Sequence, residues 1–188
     1  MIKTSRILVR KLGYRDCDDY FEIFGNPAIA KYDDFDPIAP EDARSNIARI
    51  IKNYNHPANE QEFAVESRED KKVIGVLAIL IEVDALFIGF HFNQKYHGRG
   101  LALETVAAFI PWVTKTYNLP IRAITDPANK ASIKLLGKLG FHLEKKIVRR
   151  DQSRVVRELQ YELGKPVTAI VEEQRAPRLR QKVRRVSR

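Results

Sequence analysis

In "TSRILVRKL" apolar and polar residues alternate, with Ile7 and Val9 on one face and Arg6, Leu8 and Arg10 on the other. That is the period of a strand. "RDCDDYFEIFGNP" follows as a short helix ending near Asn26-Pro27. "APEDARSNIARIIKNYN" places Pro40 near a first helical position, with acids in the first turn, and puts Ala43, Ile47, Ile50, Ile51 and Tyr54 on one helix face. Three strand-like runs come next. "EFAVES" is the first, "KVIGVLAILIEV" is apolar enough to be buried on both faces, and "ALFIGFHFN" is the third. "SREDKK" and the region around Asp84-Ala85 are short enough for hairpin turns. Ala102, Val106, Phe109, Ile110, Val113 and Tyr117 then form a helical stripe, and Pro111 within it predicts a kink or an early stop. "IRAIT" reads as a strand, "NKASIKLLGKLG" as a helix closed by Gly140, and "FHLEKKIVRR" with "VVRELQYEL" as a strand pair around "DQSR". The order β-α-α-β-β-β-α-β-α-β-β predicts one mixed α/β domain over residues 1–164 and a tail over 165–188.

The 188 residues are 44% hydrophobic and 30% charged, the balance of a soluble globular domain with a sizeable core. One cysteine, Cys17, excludes an internal disulfide and suits a reducing cytoplasm. The longest apolar run, Val73 to Ile81, is too short for a bilayer, and "MIKTSRILVRK" lacks a signal peptide's apolar core. Net charge is +9, and seven of those charges fall in residues 174–188, which hold no acid. The body is therefore nearly neutral. The tail suits RNA, a ribosome or another acidic surface, but it equally reads as a solvated end, having no aromatic residue to stack on bases.

Candidate chemistry gathers at "QKYHGRGLALE". A strand, a Gly-x-Gly loop and a helix present bare backbone N–H groups at a helix N-terminus, where the dipole favours an anion such as pyrophosphate. The loop has no Lys-Ser/Thr of a nucleotide P-loop. Leu103 stands where a dinucleotide fingerprint has its third glycine. NTP hydrolysis and NAD binding are unsupported.

The chain resembles the GNAT acetyltransferase superfamily, whose signature is Arg/Gln-x-x-Gly-x-Gly/Ala. "HGRGLA" supplies Gly100 and Ala102, with His97 at the Arg/Gln position. "SRILVRKLGYRDCDDYFEIFGNP", "IGFHFNQKYHGRGLALE" and "NKASIKLLGKLGF" are similar, in order, to the branch that acetylates protein N-termini, including ribosomal-protein-alanine N-acetyltransferases. The resemblance implies a mixed sheet of about seven strands with flanking helices. That sheet would splay between the fourth strand, "ALFIGFHFN", and the fifth, "IRAIT". It implies acetyl-CoA as co-substrate and no metal. The pyrophosphate would rest on His97, Gly98, Arg99, Gly100, Leu101 and Ala102, and the pantetheine on Phe92, Asn93 and Asn129.

In this family the acceptor amine attacks the thioester directly, so the site must orient the amine, take a proton, polarise the carbonyl and receive the thiolate. A backbone N–H near Phe92 is the natural polariser. Leu136 replaces a tyrosine that many relatives use to protonate the thiolate, which leaves Ser132 as the nearest hydroxyl. Phe87 replaces a strand carboxylate. Glu82, Asp84, His91 and Asp151 remain as bases, and the resemblance favours Asp151, ten residues after Phe141. A weak base suits an α-amine. At pH 7 roughly 10–20% of an α-amine is neutral, against about 0.04% of lysine. The expected activity is acetyl transfer to a protein or peptide N-terminus. The alternatives are a small-molecule amine acetyltransferase and a catalytically weak acyl-CoA-binding protein.

Overall fold

The computed structural model describes residues 1–33, 35–55, 59–151 and 154–164, with the backbone alone at 55, 150, 151, 154 and 155. The elements run β1 (Ile2–Lys3), β2 (Ile7–Lys11), α1 (Cys17–Phe24), α2 (Pro27–Ala30), α3 (Pro40–Asn55), β3 (Glu60–Ser67), β4 (Val73–Ile81), β5 (Leu86–Phe92), α4 (Leu101–Tyr117), β6 (Ile121–Thr125), α5 (Lys130–Lys138), β7 (Phe141–Asp151) and β8 (Arg154–Leu163). The strands form one sheet in the order β1-β2-β3-β4-β5-β6-β8-β7. All neighbours are antiparallel except β5 and β6, which are parallel and joined through α4. Parallel neighbours need such a crossover, and it carries the chain from the glycine loop back over the sheet.

Two expectations change and one is extended. The sheet has eight strands rather than about seven, because Ile2 and Lys3 pair with Val9 and Leu8. Two residues are too few to show a period. The first helix ends at Phe24, near Asn26-Pro27 as expected, but Asn26-Pro27 also opens a second short helix. The Asn26 side chain accepts from the Ala28 N–H at 3.0 Å, and Pro27 opens α2. Pro111 does not stop α4, which runs on to Tyr117. Pro111 and Ala107 both lie on the exposed face, so the Ala107 carbonyl that loses its partner faces water, while Phe109 and Val113 stay buried. The tail, residues 165–188, lies outside the described residues. Among the described residues, no helix is long and apolar enough to cross a membrane.

Each sheet face has its own core. Ile7, Val9, Val65, Leu77, Ile79, Leu86 and Ile88 pack against Val106, Phe109 and Val113 of α4 and Leu136 of α5. On the other face Ala64, Val73 and Val76 pack against Tyr20, Ile23 and Phe24 of α1 and the Ala43, Ile47 and Ile50 stripe of α3. β4 is thus buried on both sides. Ahead of α1, Arg10 fastens the chain to β2. Its Nη1 and Nη2 donate to the two Asp16 carboxylate oxygens at 2.8 Å, and its Nε donates to Glu66 at 2.7 Å. Where β3 meets β4 the register shifts between Val65 and Glu66. Next to that bulge, Gly75 pairs with Phe92. A Cβ on Gly75 would sit 2.7 Å from the Phe92 ring and 2.8 Å from the His91 carbonyl oxygen, so the end of β5 closes on this glycine.

Two outcomes follow. Burial alone would raise the Asp16 pKa, but hydrogen bonds from Arg10 and the Gly13 N–H reverse that and hold it below the ordinary value. A depressed folded-state pKa gives stability that is present above the unfolded value, about 3.9, and is lost as pH falls through the folded value. Urea denaturation should show stability falling below about pH 4. Asp16→Asn should make that dependence shallower and cost about 3 kcal/mol at neutral pH, since it leaves Arg10 half-paired in a largely buried site. Gly75→Ala should cost about 1–3 kcal/mol through overpacking against Phe92, read from the same denaturation curves.

Candidate functional site

β5 and β6 are joined at two pairs, Leu86–Ile121 and Phe87–Arg122, and no further pair follows among the described residues. Past that point β6 stays fully paired to β8, from Arg122–Glu162 to Thr125–Leu159, and so leads away from β5. The closed end is pinned by Arg122, whose Nε lies 2.9 Å from Glu162 and 3.1 Å from Glu144 and whose Nη1 lies 3.1 Å from Asp84. The Leu86 N–H donates to the Pro120 carbonyl and the Asn93 N–H to the Ile74 carbonyl. Antiparallel strands alternate the edge to which successive residues turn their polar groups. Phe90 and Phe92 therefore direct their backbone N–H groups into the gap.

Both strands end on the open side, and two helices begin there. After β5 comes a 3-10 turn, Gln94–Tyr96, then the glycine loop. Gly98 has φ +76° and Gly100 φ +74°, and Gly100 caps α4 in the left-handed region. A Cβ on Gly98 would meet nothing within 4 Å, and on Gly100 only Arg6 Nη2 at 3.8 Å, so space lies open over both. After β6 the Asn129 side-chain Oδ1 accepts from the Ser132 N–H at 3.1 Å and caps α5. The Asn129 Nδ2 and the Ser132 Oγ have no protein partner among the described residues, and both residues are half-buried.

The other expected residues divide. Leu101 is buried and Ala102 half-buried at the start of α4. The His97 Nε2 lies 2.8 Å from the Phe92 carbonyl oxygen and folds back onto the strand end. Asn93 is buried and committed inside the protein. Its Oδ1 accepts from the Lys95 N–H and its Nδ2 donates to Glu22, each at 3.1 Å. Arg99 is exposed, with its guanidinium 5.2 Å from the centre of the Tyr96 ring. Glu82 and Asp84 sit in the β4–β5 turn beyond the closed end, away from the glycine loop. Leu136, where the resemblance implies a tyrosine, is fully buried in the core. Asp151 ends β7 opposite Arg154, on the stretch of hairpin that continues past β6 on the open side, and its side chain lies outside the described residues.

Sequence reasoning missed the supports of this end. Arg6 donates from Nη1 to the Arg99 carbonyl at 3.0 Å and from Nε to Glu104 at 2.6 Å, and Thr4 donates its hydroxyl to the same carboxylate. These bonds brace the glycine loop and the first turn of α4 against the start of β2. Glu22 of α1 holds Lys72 at 3.1 Å and Lys95 at 3.5 Å as well as Asn93, and the Lys72 contact chiefly lowers its pKa. Neither set has a local sequence signal, because its partners are far apart in the chain.

On the α1/α3 face the register aligns Glu62, Ala78 and Gly89 in one row and Ala64, Val76 and His91 in the next. Burial raises the Glu62 pKa, opposed by Arg49, whose Nη2 is 3.2 Å away. Among the described residues, no group of three His, Cys, Asp or Glu side chains could hold a metal ion.

This architecture has known counterparts. The ribosomal L7/L12 alpha-N-protein acetyltransferase RimL, solved in complex with coenzyme A, superposes with a TM-score of 0.74 at 15% identity, covering 85% of this chain and 94% of that one. The uncharacterized N-acetyltransferase p20 of Bacillus licheniformis is 27% identical over 145 residues, 75% of this chain and 82% of that protein. The [ribosomal protein uS5]-alanine N-acetyltransferase of Escherichia coli is 29% identical over 100 residues, about half of either chain. The family description "Acetyltransferase (GNAT) domain" matches residues 6–142, which span the glycine loop, the β5–β6 opening and the start of α5. The chain belongs to the GNAT acetyltransferase family and is an N-acetyltransferase.

Proposed function

We propose that the enzyme transfers acetyl from acetyl-CoA to the α-amine of a protein or peptide N-terminus by direct attack. GNAT acetyltransferases use acetyl-CoA, and relatives named for ribosomal proteins support a protein acceptor. The observation that carries the reading is the open end of the β5–β6 gap. Two helix N-termini and the strand N–H groups of Phe90 and Phe92 converge there, over glycines whose faces are open.

In this reading the N–H groups from Gly98 to Ala102, Leu101 included, cradle the pyrophosphate, and the Arg99 guanidinium adds charge. The pantetheine lies along Phe92 and bonds the free Asn129 amide. Asn93 and His97 hold the strand end in place beside it. The N–H of Phe90 or Phe92 polarises the thioester carbonyl. The Ser132 hydroxyl serves the departing thiolate, directly or through water. Asp151, on the overhanging hairpin, meets the acceptor. A ribosomal-protein acceptor would place the enzyme in the cytoplasm and give the basic tail an RNA surface to contact.

The test is acetyl-CoA-dependent thiol release with a free-N-terminus peptide, compared with an N-terminally blocked peptide bearing lysine. The α-amine should be faster at pH 7 by on the order of 10², following the neutral fractions of the two amines. A faster lysine would refute the acceptor assignment. Tight acetyl-CoA binding without turnover on any amine would make the protein an acyl-CoA-binding module instead. Gly98→Val and Gly100→Val should each weaken CoA binding at least about tenfold by calorimetry, because a side chain strains a positive φ and fills the space above the loop. Unchanged affinity would remove the loop from the phosphate site.

A further inference from the structure

The side of the opening that faces α1 and α3 carries a proton acceptor that the roles above leave unused. His91 lies on β5 beyond the last β5–β6 pair, on the same strand face as Phe87 and Gly89. Phe87 stands where the resemblance expects a carboxylate, so that position supplies no base. Gly89 adds no side chain between the two, and a Cβ there would meet only the Ala78 Cβ, at 3.6 Å. The way along the strand to the imidazole is therefore uncrowded.

The imidazole is held on two sides. The Phe24 ring of α1 packs with its centroid 5.2 Å away, and the Phe35 ring lies edge-on at 5.6 Å. Asp33, just after α2, brings its Oδ2 to 3.3 Å from His91 Nε2. The His91 side chain keeps 22% exposure. The other charged groups facing it are Glu62 of β3, whose ionisation feels His91, and Arg49 of α3, which pairs with Glu62. A carboxylate beside Nε2 favours the ring proton on that nitrogen and leaves the lone pair on Nδ1. Nδ1 has no hydrogen-bond partner among the described residues. A ring packed against two aromatic rings, oriented by an acid and bare at its second nitrogen is built to accept a proton.

We infer that His91 is the general base of acetyl transfer and that Asp33 is its positioning residue. This rests on the acetyl-transfer reading above and decides which group starts the reaction. The acceptor ammonium gives one proton to Nδ1. The neutral nitrogen then uses its lone pair to form the C–N bond at the thioester carbonyl. As the C–S bond breaks, its electron pair goes to sulfur. The thiolate receives the proton that the attacking nitrogen sheds, and the imidazolium returns its own to water. The sum is one acetamide, one free thiol and one released proton.

The experiment uses the full chain, acetyl-CoA and a short peptide with a free N-terminal alanine, followed by thiol release against pH. His91→Gln should lower kcat about 10²-fold at pH 7 with acetyl-CoA affinity unchanged. The deficit should shrink as pH rises past the amine's own pKa, about 8, because the acceptor then arrives neutral. Asp33→Asn, at a more exposed position, should lower kcat by a smaller factor with the same pH trend. Asp151→Asn should act on KM more than on kcat. Wild-type kcat in His91→Gln, or a loss equal at every pH, would overturn the role and leave the acetyl-transfer reading standing. Absence of thiol release by the unaltered protein with this and other amines would refute both. Nitrogen NMR of the imidazole gives a readout free of turnover: the neutral ring should carry its proton on Nε2, and a proton on Nδ1 would overturn the proposal.

Discussion

Among the described residues, two backbone pairs, Leu86–Ile121 and Phe87–Arg122, join β5 to β6. A parallel pair with one short ladder and a full antiparallel ladder on its far side must open like a wedge. β6 follows β8, and β5 follows β4. Arg122 sits at the apex, where Glu162, Glu144 and Asp84 hold it from three elements. Opening costs hydrogen bonds that a continuous sheet would have made, and each buried peptide group left without a partner is expensive. A thioester arm with alternating amides is the kind of guest that restores those bonds.

Around the wedge, β5 is fixed at its far end by its pairing with β4 and by close packing. The bulge opposite Val65–Glu66 re-aims β4, Gly75 lets the Phe92 ring settle against it, and the His97 ring takes the Phe92 carbonyl. Asn93 then ties the strand to α1 through Glu22. In the proposed reaction the donor and the acceptor would thus share one strand end. A shift there would move the Phe90 and Phe92 N–H groups and the His91 imidazole together, which would keep the attacking nitrogen and the carbonyl in register.

The periodicities disclosed most of this frame. The α3 stripe and the twice-buried β4 are legible because burial repeats along a helix or a strand. The glycine loop is legible because positive φ at Gly98 and Gly100 restricts residue choice. β1 was not legible, being two residues long, and Pro111 misled because its cost depends on whether the freed carbonyl faces water. The site was legible only in part. Arg6 and Glu104 are nearly a hundred residues apart, as are Glu22 and Lys95 to a lesser degree, and no local pattern announces such pairs. His91 could be placed on a strand from sequence, but its Asp33 neighbour depends on how the chain after α2 folds back.

The charge pattern at the open end follows from the same frame. An acid in the first turn of a helix normally complements the dipole, but under the proposed pyrophosphate assignment an unpaired Glu104 would repel the ligand. Arg6 neutralises Glu104 from the turn before β2, and hydrogen bonds from Thr4 and Arg6 hold its pKa down against the effect of burial. Glu22 is likewise covered by Lys72 and Lys95. With those carboxylates paired, the field at the loop is left to the backbone N–H groups and to Arg99, which has no carboxylate partner among the described residues and rests on the Tyr96 ring. A cation resting on an aromatic face keeps its charge available, so in the proposed reading Arg99 and the helix terminus would favour the anion, while Arg6 is spent on Glu104 and the Arg99 carbonyl.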